Sequence, residues 1–223
     1  ALSAVRKALD SDDLPGAKLA LVQHFRRRQR PRWICDLRNQ QKGAMPHIWP
    51  PEFGGAADVS IEIAEKALKN HLVLSPGLDL KFGPRLDWVT EDTRSLAVPG
   101  NAFKCCHFVR HLAQAWTATG DGRYAAKFAQ LLERWHEDWP FELDDEFTGA
   151  SMIFSHRTGD KSMPAGQRLF NWLSCLYTGI PFAEEVPAET AFRFIKSIWF
   201  TGAAYLHFKN SPYHPHNHHI MRT

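Results

Sequence analysis

His214, His216, His218 and His219 fall within six positions, with Asn217 among them, directly after a long aromatic-rich stretch. Imidazoles titrate near neutral pH, so such a cluster can move protons or hold a metal. An amide adds a donor and an acceptor that carry no charge of their own. The segment has neither an HExxH pattern nor a carboxylate, so no metal site is expected there. Asn217 has a second reading as a helix N-cap, because a new helix is predicted to begin near His216. On a helix His218 and His219 point in different directions, and His219 is the better fit to a structural role. His214 and His216 flank Pro215 and either line a cleft or sit in solvent.

Other residues could support chemistry. Arg168 and Asn171 are three positions apart in an apolar helical pattern, so both can face one side. Arg168 can clamp a carboxylate or sulfate through paired donors, or satisfy loop carbonyls instead. His107 and Arg110 repeat that spacing and that ambiguity, and Trp172 suits a core better than a sugar platform. Asp144, Asp145 and Glu146 suggest hydrolysis, but adjacent acids cannot straddle one bond, and an acidic surface loop is expected. The basic run from Arg26 to Arg32 could attract an anionic polymer or simply close a helix. Four cysteines without a CxxC do not make a disulfide scaffold, and buried free thiols are expected. Eight Trp and fifteen Phe are many for this length; such rings fill cores or stack on ligands.

The elements that would position these groups are helical. With 223 residues, 44% hydrophobic and 23% charged, the chain can build one large domain. A net charge of +3 is too small to point to nucleic acid, and no apolar run is long enough to span a membrane. Helices are predicted over 16–29, 59–72, 102–118, 163–178 and 187–207. Another follows the Gly120–Gly122 turn, with Tyr124, Phe128, Leu131 and Trp135 on one face. A long loop is expected over 75–100, and no alternating strand stands out. Successive helical hairpins without a strict repeat predict an all-α bundle or toroid.

Four segments in order resemble one family. They are the opening helix ending in His24-Phe-Arg-Arg-Arg with Pro31 and Trp33 behind it; FKCCHFVRHLAQAWTATGDGRY from Phe103 to Tyr124; Gly166-Gln-Arg-Leu-Phe-Asn-Trp172; and Asn217-His218. Together they are similar to the N-terminal helical domain of the heparinase II/III-like polysaccharide lyases, a group that includes heparin/heparan sulfate and alginate lyases. The resemblance implies an incomplete (α/α) toroid over residues 1–223, truncated at its C-terminal end. It also implies a β-sandwich part and a catalytic tyrosine beyond Thr223.

For function, the resemblance implies β-elimination at a 4-linked uronic acid of an acidic glycan. Asn217 takes the role of neutralising the sugar carboxylate, as an oxyanion hole does, with His218 beside it as charge partner or base. Arg168, Asn171, His107 and His216 become candidates for substrate binding. Neither cofactor nor metal is expected, and the partner is an acidic polysaccharide rather than nucleic acid or membrane. A periplasmic or secreted location also follows from the resemblance. A non-catalytic glycan-binding helical module and a glycoside hydrolase on an α/α barrel are the competing readings.

Overall fold

Capping residues and glycine turns set the helix boundaries. The computed structural model describes residues 2–27, 57–75, 77–87, 98–138 and 163–209. Helices α1 (Ser3–Asp10) and α2 (Leu14–Arg26) pack against each other. Asp13 caps α2: its carboxylate accepts from the Gly16 N–H at 2.9 Å, and Pro15 sits in the first turn, where its missing N–H costs little. Helix α2 buries Ala17 and Val22.

Helix α3 (Ala57–Leu68) ends earlier than its apolar pattern predicts. Asn70 turns the chain at φ 59° and donates its side-chain amide to the Gly83 carbonyl at 2.9 Å. Strand β1 (His71–Ser75) follows and pairs antiparallel with β2 (Leu78–Lys81), in the register His71 with Lys81 and Val73 with Asp79. This hairpin corrects the expectation of a helix to residue 72 and a loop from residue 75. Leu72 and Leu74 are buried, while the His71 ring pairs with the Asp79 carboxylate on the other face. Leu72 continues the helical phase of Ala64 and Leu68, which masked a five-residue strand.

Helices α4 (Val98–Lys104), α5 (His107–Thr119) and α6 (Gly122–Asp138) come next. Gly120 ends α5 at φ 71°, with its N–H on the Trp116 carbonyl at 2.7 Å, and α6 starts two residues later. After α7 (Met163–Thr178) a short turn of 3-10 helix (Ile180–Phe182) leads to α8 (Ala188–Lys209). Helix α5 lies at the centre and packs on α3, α6, α7 and β1, while α8 packs on α2, α6 and α7.

The core is rich in aromatics. Phe103, Phe108, Phe128, Trp172 and Phe194 are almost wholly enclosed. Each such ring contributes about 1.5–3 kcal/mol by leaving water. The predicted α6 face of Tyr124, Phe128, Leu131 and Trp135 is buried, and Trp172 is a core residue. Cys105, Cys106 and Cys175 are buried free thiols; Cys35 lies outside the described residues. The hairpins of helix around one core make an all-α fold of the incomplete (α/α) toroid type. Among the described residues, the two-stranded hairpin is the only sheet. No described helix is long and apolar enough to cross a membrane.

Candidate functional site

A single helix over 102–118 is what the sequence predicts; the structure breaks it at a corner. Cys106 takes left-handed backbone angles, φ 54° and ψ 37°, between α4 and α5. A non-glycine residue there costs about 1–2 kcal/mol. The corner also leaves carbonyls at the end of α4 in need of donors. Helix α7 supplies them from one face. Arg168 Nη1 donates to the Lys104 carbonyl at 3.1 Å, and Asn171 Nδ2 donates to the Cys105 carbonyl at 2.6 Å. Cys105 Sγ in turn donates to Gln167 Oε1 at 2.9 Å. The spacing of 167, 168 and 171 puts all three on the side of α7 that meets the corner.

Asn171 is fully buried and engaged all round. Beyond the Cys105 carbonyl, its Nδ2 lies 3.3 Å from His107 Nδ1, and its Oδ1 accepts from Arg110 Nη1 at 3.5 Å. Arg168, also buried, has its guanidinium 5.7 Å from the Trp135 ring centre and 5.4 Å from that of Trp172. Two indoles therefore lie within cation–π reach of the one guanidinium. The Arg110 guanidinium lies 5.5 Å from the Phe170 ring.

The histidines of this cluster are held neutral. Burial, reinforced by the neighbouring Arg110 charge, lowers His107 to about 4. The same causes lower His111 to about 3, with His107 adding to them. A neutral His107 can accept at Nδ1, which suits the Asn171 N–H beside it. His111 Nδ1 reaches Ser60 Oγ at 3.4 Å, and Ser60 donates to Gln114, so a polar chain continues from α5 into α3. Tyr124 is not poised as a base: burial and its hydrogen bond to Glu65 push it up to about 12.

The structure thus brings His107, Arg168 and Asn171 together at the α4–α5 corner. Asn217, His218 and His216 lie outside the described residues, as do His214, His219 and the Asp144–Glu146 acids. A cavity of about 270 Å³ lies elsewhere, between α2 and α8, lined by Leu14, Pro15, Lys18, Leu19, Ala188 and Glu189; none of the candidate residues borders it. Among the described residues, no group of three or more His, Cys, Asp or Glu side chains is arranged to hold a metal ion. Sequence reasoning missed the corner itself and the contacts of Arg168 with Trp135 and Trp172. The spacing of four between Arg168 and Trp172 was the available signal.

Known proteins resemble the chain as follows. The sequence profile described as Heparinase II/III N-terminus matches residues 1–223. No curated protein matches. Among solved structures, the heparan sulfate lyase HepC from Pedobacter heparinus superposes with a TM-score of 0.67 at 17% identity, over 98% of this chain and 31% of that one. A heparinase III with methylated lysines superposes with a TM-score of 0.62 at 16% identity, over 98% of this chain and 32% of that one. The chain therefore spans about a third of the length of these structures, and at such identity the likeness is one of fold.

Proposed function

Because the chain belongs to the heparinase II/III N-terminal family, we propose that it is the N-terminal part of a polysaccharide lyase acting on an acidic glycan. The observation that carries this reading is the family match over residues 1–223. The proposed reaction is β-elimination at a 4-linked uronic acid of a heparan sulfate-like polymer, with alginate as the other substrate to test. The C5–H and C4–O4 bonds break, a C4–C5 double bond forms, and the leaving O4 takes up a proton. The sugar carboxylate makes the C5 proton hard to remove until its charge is neutralised. In this proposal Asn217 donates its amide to that carboxylate, and the C5 proton goes to His218 or, with His218 as charge partner, to a tyrosine. A tyrosine from the rest of the polypeptide protonates O4.

Arg168, Asn171 and His107, with His216, serve substrate binding in this reading. The buried trio does so indirectly, by fixing the α4–α5 corner. A β-sandwich part of the same polypeptide would complete the active site. A polymeric substrate suits a periplasmic or secreted enzyme.

The test is a product assay of the full-length protein on heparan sulfate, heparin and alginate. Release of unsaturated, ultraviolet-absorbing uronates is expected. Binding without release would instead show a glycan-binding module. Saturated products that depend on Asp144 or Asp145 would show a hydrolase.

A further inference from the structure

Outside the corner, one helix face combines an aromatic with cations. Trp199 on α8 is 61% exposed. Arg193 and Lys196 precede it at steps of three and are exposed as well. The three form a ridge about 9 Å long at the helical rise. On the opposite face Phe194, Ser197 and Thr201 are buried, which fixes the direction of the ridge.

Phe200 anchors the tip. Its ring meets Trp199 edge-on at 5.1 Å and 70°, and Lys196 Nζ lies 5.4 Å from the same ring. At the other end Glu189 is shared between Arg193 and Lys18, each at 3.4 Å. Lys18 Nζ also lies 5.0 Å from the Phe192 ring. Three cations against one carboxylate leave this strip positive.

We propose that Arg193, Lys196 and Trp199 form a platform for an acidic sugar unit. The inference rests on the acidic-glycan reading above and extends it. An indole face suits the C–H face of a pyranose ring. The flanking ammonium and guanidinium suit its carboxylate or sulfate, the latter cation through paired donors. A single indole at the end of a row of cations fits a sugar acid better than an apolar protein surface, which would need a broad apolar core.

The experiment measures heparan sulfate oligosaccharide binding to the full-length protein by calorimetry at two salt concentrations. The variants are Trp199→Ala, Trp199→Tyr and the double variant Arg193→Ala/Lys196→Ala, with the exposed Leu9→Ala on α1 as the control elsewhere on the surface. Trp199→Ala is expected to weaken binding about tenfold, and Trp199→Tyr to restore most of it. The double variant is expected to weaken binding and flatten its salt dependence. Unfolding midpoints report whether each variant is folded; should Trp199→Ala fail to fold, the double variant carries the test. Wild-type affinity in folded Trp199→Ala or in the double variant overturns the platform alone, provided the wild type binds and cleaves the glycan. A wild type that neither binds nor cleaves any acidic glycan removes the platform and the lyase reading together.

Discussion

The Asn171 amide donates to the Cys105 carbonyl at 2.6 Å, joining α7 to a corner 66 residues earlier in the chain. Together with Arg168 on the Lys104 carbonyl, it holds a left-handed turn that the backbone of Cys106 would otherwise resist. Asn171→Ala leaves a buried carbonyl and the Arg110 guanidinium without this partner. A loss of about 3 kcal/mol is expected, and Arg168→Met should lose about 2 kcal/mol while keeping its apolar stem near the indoles. Urea unfolding measures both. A loss below about 0.5 kcal/mol for Asn171→Ala would show that the corner stands without it.

Stability should fall on mild acidification. His107 and His136 are lowered to about 4 and His111 to about 3, chiefly by burial. In the unfolded chain they take up protons near 6.5. Between pH 6.5 and 4 the unfolded state therefore binds more protons than the folded one, and each histidine removes up to about 1.4 kcal/mol per pH unit. Above pH 7 the effect vanishes. His136 Nε2 and Ser197 Oγ lie 2.7 Å apart between α6 and α8, which makes His136→Gln a useful control. It should flatten the slope of the urea midpoint between pH 6.5 and 5 by roughly a third. A wild-type midpoint constant across that window would contradict the burial argument.

Two glycines should respond to alanine with opposite signs. Gly120 sits at φ 71° with open space around its Cα, so Gly120→Ala is expected to cost about 1 kcal/mol through backbone strain alone. Gly202 lies within α8, also with nothing where a Cβ would go, and Gly202→Ala is expected to gain about 0.5–1 kcal/mol. Thermal unfolding midpoints moving in the same direction would refute the pair.

For the proposed chemistry, Asn217→Ala in the full-length protein is expected to lower turnover by orders of magnitude on heparan sulfate, with an unchanged unfolding midpoint. Transition-state donors of this kind typically contribute about 100- to 1000-fold. Turnover like that of the wild type would assign Asn217 to helix capping instead.

Much of the helical framework was legible because long apolar stripes and Gly/Pro punctuation are local signals. The bounds of α7 and the Gly120 turn follow directly from Met163 to Thr178 and from Thr119-Gly-Asp. The Cys106 corner was not legible, since Phe103, Cys106 and Val109 keep helical spacing across it. Its cause lies in donors on α7 that no local pattern encodes. The β1–β2 hairpin was hidden because a five-residue strand alternates too briefly to stand apart from the helix before it. In the candidate site, spacing correctly grouped Arg168 with Asn171, while what they touch depends on tertiary packing.

The corner also places two adjacent thiols in different company: Cys105 donates to Gln167, and Cys106 lies 3.7 Å from the Lys104 carbonyl. Both are sealed from solvent in the native fold. Alkylation at either sulfur, located by peptide mass mapping, therefore clocks how often α4 swings away from α5. The protein carries its own label for the one joint that α7 keeps closed.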